Sequence, residues 1–399
     1  MFRRALRYSQ KTFALYRSLK EIKDRRIKPR IAAVKVAIYI FSLQLSNLGS
    51  LNNFSQSVSY PSVSTVARSA DTMSLGDIRD VNMEIYRKAR RSKMLAPSGG
   101  KWIGVVDGKE ITTSDYHKCT HCKRRKLRDK EGGLKYQYYH QFVAFILACS
   151  DFSLTLDIEP ILPGEGEKTS AYRLLSRVCK RYPKAFSVVI GDGLYLNGKT
   201  FKLLESHHKK AIAVLKEERR QLYDEAKKLC FLSKPIAYRE GATSYRVWEH
   251  TISGCWEGYG KDVRVIVSEE TTRTRVHSKD GKGWEDKTEV ANWMWATNLK
   301  ASESTGDLKN MVRVCHSRWH IENRCFKETA GMWNAEHIYR HSANGIIVFL
   351  LFLFMAVNIF NIFKVRNIKD KNIRTKLNLK DRIKADFLNL TRPLPPIPV

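Results

Sequence analysis

Lys101-Trp-Ile-Gly-Val-Val-Asp107-Gly-Lys-Glu-Ile111 is the stretch whose reading decides the fold. Trp102, Ile103, Val105 and Val106 form a short apolar run that predicts an interior strand, and Gly108 permits a sharp exit from it. Asp107 is therefore expected at a strand tip. An aspartate beside a glycine is more often a plain turn former than a ligand. The pattern recurs, however, in Phe186-Ser-Val-Val-Ile-Gly-Asp192-Gly-Leu-Tyr195, a second apolar run that ends in Asp-Gly.

A third acid lies in Arg318-Trp-His-Ile-Glu322-Asn-Arg-Cys-Phe-Lys327, where Ile321, Cys325 and Phe326 recur at helical spacing. On such a helix Arg318 and Glu322, four apart, share a face. Two strand-borne aspartates and a helix-borne glutamate are the donor set that two hard divalent cations need. Mg2+ takes oxygen ligands and keeps positions free for phosphate oxygens and water. The residues point to phosphodiester chemistry.

These motifs resemble the DDE insertion-sequence transposases with the signature Tyr-x2-Arg-x3-Glu-x6-Lys. Arg318-x3-Glu322 fits, as do the wording Arg-Trp-x-Ile-Glu with Phe-Lys shortly after it and the second motif Asp192-Gly-Leu-Tyr195. Two positions depart: Cys315 stands where the tyrosine would be, and Thr329 where the lysine would be, with Lys327 the nearest lysine. The resemblance spans residues 46 to 361. It implies an enzyme that binds the terminal inverted repeats of a mobile element and cleaves and joins DNA strands. Asp107, Asp192 and Glu322 would hold two Mg2+ or Mn2+ ions, and Arg318 and Lys327 would contact the DNA. A homodimer in the synaptic complex and a prokaryotic cytoplasm, at the nucleoid, are also implied. Trp293, in Ala291-Asn-Trp293-Met-Trp295, takes the place of a tryptophan that stacks on a base of the transposon end in members that pass through a DNA hairpin. Both tryptophans share one strand face, and core packing is the competing reading, favoured for Trp295. A related nuclease without strand transfer and a catalytically silent DNA-binding derivative are the alternative functions.

Composition agrees with a polyanionic partner. In 399 residues, 71 Lys and Arg against 40 Asp and Glu give a formal net charge of +31, which favours nucleic acid. A Lys-rich or ribosome-associated protein would explain the charge equally well. Eight cysteines without regular pairing argue against a secreted disulfide scaffold. Residues 1–30 carry no continuous apolar stretch of the secretory kind. The apolar run 345–357 is shorter than the roughly 18 to 20 residues of a membrane span, so a core helix and no membrane association are expected.

The expected architecture is α/β, a ribonuclease H-like core of mixed sheet and flanking helices. Strands come first and a helix then crosses over. Residues 1–95 read as a helical domain that binds DNA ends, with Arg25, Arg26, Lys28 and Arg30 and then Arg87, Lys88, Arg90 and Arg91 as its basic groups. Residues 96–215 form the first part of the core and 216–304 an inserted β-rich subdomain. Residues 305–363 are the second part of the core with the glutamate helix, and 364–399 a basic tail. One cluster falls outside this scheme: His117-Lys-Cys119-Thr-His121-Cys122. Its Cys-x2-Cys has the spacing of a zinc knuckle, but no second pair follows, although His140 could fold back. A basic loop with incidental cysteines is expected. Whatever their role, these thiols are not the catalytic donors, since thiolates suit zinc and phosphoryl transfer needs hard oxygen ligands.

Overall fold

The computed structural model describes residues 1–23, 63–128, 132–217, 220–277, 283–337, 340–370, 373 and 375–391. The expected basic residues from Arg25 to Arg30 lie outside the described residues. The strands are β1 (Ile103–Ser114), β2 (Lys123–Arg128), β3 (Leu134–Ala148), β4 (Ser153–Pro160), β5 (Val188–Gly191), β6 (Lys210–Val214), β7 (Ile236–Glu240), β8 (Thr243–Ile252), β9 (Val263–His277) and β10 (Trp284–Thr297). The chain divides into two compact units. One comprises Met1–Ala96, Gly108–Leu174 and His320–Val399, the other Pro97–Asp107 and Leu175–Trp319.

In the first unit β3 is the central strand. Its first half pairs antiparallel with β2 and its second half with β4, and β1 is its other neighbour. Every side chain of β4 from Ser153 to Glu159 is buried, against the helices Leu75–Arg91 and Ala343–Asn367. The second of these helices is apolar on every side over most of its length, which is why Gly345 to Phe363 lie inside while its last turn reaches solvent. The run expected over 345–357 extends to 25 residues. By length and composition it is able to cross a membrane, and its apolar window is entirely buried within the chain.

Two asparagines on this buried helix differ in their surroundings. Asn358 accepts from Thr155 N–H (2.9 Å) and donates to Thr155 C=O (2.8 Å) and to Asn82 Oδ1 (3.1 Å). Asn361, three residues on and 1% exposed, has no partner among the described residues for either side-chain atom. Replacing Asn358 by Leu strands the Thr155 N–H and Asn82 Oδ1, while Asn82 Nδ2 still donates to Thr155 C=O, and each orphaned group costs about 1 to 3 kcal/mol. Asn361→Leu removes only an unsatisfied amide and is expected to be neutral or stabilising. Denaturant unfolding of the two variants checks this. Equal losses would mean that the network around Asn358 contributes nothing specific.

In the second unit the start of β1 runs parallel to β5, and β5 parallel to β6. β10 then pairs antiparallel with β6 over Trp295–Thr297, and β9, β8 and β7 follow outward, each antiparallel to the last. The β-rich block expected as an inserted subdomain therefore exists as strands but continues the sheet, because the apolar end of β10 (Met294, Trp295, Ala296) is buried beside β6. The helix Gly198–Ser206 begins against the backbone of Gly258, so closely that any side chain at Gly198 would strike that carbonyl. Only glycine fits there.

Candidate active site

Asp107 is not at a strand tip. β1 continues to Ser114, through Ile111, Thr112 and Thr113, whose β-branched chains favour extended backbone. Gly108 makes no exit turn: a methyl group on it would run into the carboxylate of Glu167, at the start of the helix Glu167–Arg181. Asp192, by contrast, stands where it is expected. It directly follows β5 in extended conformation and caps the short 3-10 turn Gly193–Tyr195, accepting the Leu194 N–H at 2.8 Å.

Asp107 and Asp192 lie on neighbouring parallel strands. β1 and β5 have Val105 opposite Ile190 as their last pair, and each aspartate follows two residues later. A register continued over those two residues would set the aspartates side by side, on strands about 4.8 Å apart and on the face of Val105 and Ile190. Each carboxylate is approached by a cation. Arg318 Nη1 lies 3.7 Å from Asp107 Oδ2, with both side chains largely covered (17% and 19% exposed). Lys216 Nζ lies 3.9 Å from Asp192 Oδ2, and its stem packs over Gly193. Sequence reading passes over Lys216, for which the only signal is its place just beyond β6.

Arg318 does not share a helix with Glu322. The helix Thr305–His316 ends just before it, Ser317 and Arg318 form a turn, and the next helix starts at Trp319. The turn frees the guanidinium to lie over the Trp319 ring (4.4 Å) while reaching Asp107. Trp293 packs edge-on against the same Trp319 (5.9 Å) and against His316 (5.7 Å), which is bonded to Glu270 at 2.7 Å. Trp293 and Trp295 do share a face, with rings 6.1 Å apart and nearly parallel. Their burial differs: Trp295 is 2% exposed, whereas Trp293 is partly open. Trp293 and Lys216 both line a cleft of about 820 Å³ with Lys227 and Arg246.

Glu322 and Lys327 belong to the first unit. The helix from Trp319 to Trp333 contains a π turn over Glu322–Lys327, a feature frequent at functional sites. It is anchored by Arg324, which donates to the carbonyls of Cys149 (3.0 Å) and Ser150 (3.1 Å), and by buried Cys325 beside Thr155. A π turn brings residues five apart onto one face. Lys327, displaced for an α-helix, thus comes to 3.9 Å from Glu322 with 64% of its side chain exposed. Thr329, at the position of the signature lysine, is buried and donates to Cys325 C=O. Cys315, at that of the tyrosine, is fully buried, which pushes its thiol far above the ordinary range.

The Cys-x2-Cys loop departs most from expectation. His140, on β3, and His341, just before the long apolar helix, bring their ring nitrogens to the two thiols. Cys119, Cys122, His140 and His341 form one group whose candidate ligand atoms all lie within 4.8 Å of one another. These cysteines are not incidental to a basic loop.

No family model and no curated protein matches the chain. Among solved structures it is similar to a piggyBac transposase synaptic complex with hairpin DNA, at 10% identity and a TM-score of 0.45, over 97% of this chain and 80% of that one.

Proposed function

We propose that this chain is a DDE transposase: a DNA-cleaving and strand-joining enzyme whose catalytic acids are Asp107, Asp192 and Glu322. The observation that carries the reading is the placement of Asp107 and Asp192, each two residues past the last paired residue of adjacent parallel strands, with Arg318 against the first of them. A strand order of β4-β3-β1 in one unit and β1-β5-β6 in the other supports a ribonuclease H-type core. Two adjacent carboxylates repel each other, and hard oxygen donors at that spacing fit Mg2+ or Mn2+. Such ions would neutralise phosphate charge and activate a bound water or 3′ hydroxyl. The protein's own groups have distinct tasks. Arg318 releases Asp107 and turns its planar fork to the phosphate beside the scissile bond. Lys327 and Lys216 supply point charges along the strand, and the +31 net charge supplies the affinity for transposon ends and target, engaged as a homodimer.

Incubation with a supercoiled plasmid carrying the element's ends and Mg2+ tests the reading. Joined products support it, nicks alone favour a nuclease without strand transfer, and binding without cleavage favours a silent derivative. In the same assay Arg318→Lys is expected to cut about ten- to a hundredfold more slowly, since an ammonium cannot bind two oxygens in the plane of the fork. End binding should hold within about twofold, one phosphate contact among many. Full activity in Arg318→Lys would exclude the bidentate contact.

A further inference from the structure

We propose that Cys119, Cys122, His140 and His341 form a structural zinc site, separate from the chemistry of the acids. Cys122 Sγ lies 3.9 Å from Cys119 Sγ, 3.2 Å from His140 Nε2 and 3.1 Å from His341 Nε2. Cys119 Sγ lies 3.5 Å from His140 Nε2, and the two Nε2 atoms are 3.4 Å apart. Tetrahedral zinc with Zn–S of about 2.3 Å and Zn–N of about 2.0 to 2.1 Å requires ligand separations of about 3.8 Å for S···S, about 3.6 Å for S···N and about 3.3 Å for N···N. The S···S, N···N and Cys119–His140 separations match that pattern, and Cys122 sits closer to both histidines, at 3.2 and 3.1 Å. The thiols are not joined, since a disulfide needs about 2.05 Å and both cysteines are free.

The surroundings hold the donors in place. Cys119 and Cys122 bracket a turn closed by the Cys122 N–H to Cys119 C=O bond (3.0 Å), and the Cys119 N–H points at Cys122 Sγ (3.2 Å). His140 is 7% exposed. His341 is fixed on both sides: Arg340 pairs with Asp71 at 2.6 Å, and Ser342 caps the following helix through the Gly345 N–H while also bonding Asp71. Four lone-pair donors aimed at one half-buried point, with soft sulfur among them, select zinc over Mg2+ or Mn2+. The ion would join Cys122 to His341, 219 residues apart in sequence. It would tie the β1–β2 loop to β3 and to the start of the long buried helix.

This inference does not depend on the transposase reading. Full-length protein, purified without chelator, should carry about one zinc per chain by elemental analysis. Exchange for Co2+ should give the d–d bands and near-ultraviolet thiolate charge-transfer band of a tetrahedral S2N2 site. Cys122→Ser and His341→Asn should lower bound metal to below about a tenth. His117→Asn should leave it unchanged, because His117 is a ring neighbour of His341 (6.1 Å) outside the donor set. Zinc-free protein whose wild-type Co2+ titration shows no charge-transfer band would overturn the proposal, even if the variants fail to fold. So would undiminished zinc in Cys122→Ser, loss of zinc in His117→Asn, or recovery of Cys119 and Cys122 as a disulfide.

Discussion

Asp107→Asn and Asp192→Asn are each expected to reduce DNA cleavage by at least about a thousandfold, because a metal clamp contributes several kcal/mol to phosphoryl transfer and each 1.36 kcal/mol is tenfold in rate. Asparagine keeps the shape and one acceptor oxygen but removes the charge that draws a divalent cation. The fold should survive. In Asp192→Asn the remaining side-chain oxygen can still accept the Leu194 N–H, and the exposed Lys216 loses only a 3.9 Å ion pair, so the melting temperature without divalent metal should hold. Adding Mg2+ should raise the wild-type melting temperature more than that of either variant. Glu322→Gln should lose cleavage to the same extent. Gel-shift titration on transposon ends separates catalysis from binding. Cleavage retained in any one of the three, with folding intact by circular dichroism, would remove that residue from the site.

The second large effect concerns two tryptophans two residues apart on β10. Trp295→Ala should cost about 3 to 5 kcal/mol of stability, the usual penalty for emptying a fully buried aromatic site, and is expected to leave little soluble protein. Trp293 is partly open, meets Trp319 and His316 edge-on and lies nearly parallel to the Trp295 ring. Its loss should cost far less stability and act instead on the DNA. If its ring supports an unstacked base, worth about 1 to 3 kcal/mol, Trp293→Ala should slow the steps after first-strand nicking roughly 5- to 150-fold and leave the nick nearly unchanged. 2-aminopurine at the terminal bases should then lose its fluorescence change. An unfolded Trp293→Ala variant would assign the ring to packing.

What the sequence makes legible follows from period and chemistry. Apolar runs locate β1, β5 and β6, the acid at the end of β5, and the buried helix near the C-terminus. Composition separates the two tryptophans only weakly, since both sit at alternate positions of one strand. Their difference comes from β6, which covers Trp295 and stops short of Trp293. Local rules fail where the deciding partner is distant. Gly108 reads as a turn because Glu167, which crowds it, is nearly sixty residues away. Arg318 and Glu322 read as one helix because nothing local announces the turn at Ser317 and Arg318. Lys327 has the wrong spacing until the helix adopts a π turn. The fourth member of the Cys and His cluster lies 219 residues from Cys122, beyond any spacing rule.

The long helix Ala343–Asn367 also has a consequence for synthesis. Its packing partners in the first unit, the helices Phe2–Phe13, Val63–Ala70 and Leu75–Arg91 and strand β4, all leave the ribosome before it does. Until more than 340 residues have been translated, those partners present an uncovered apolar face to solvent, and they depend on chaperones or transient collapse for protection. The helix itself, once exposed, carries the length and hydropathy by which targeting machinery recognises a membrane segment. In the folded chain that apolar window is entirely buried, in part against β4. A chain terminated before Ala343 has its partners but nothing to cover them, so messages truncated there should yield aggregates rather than a partly active protein.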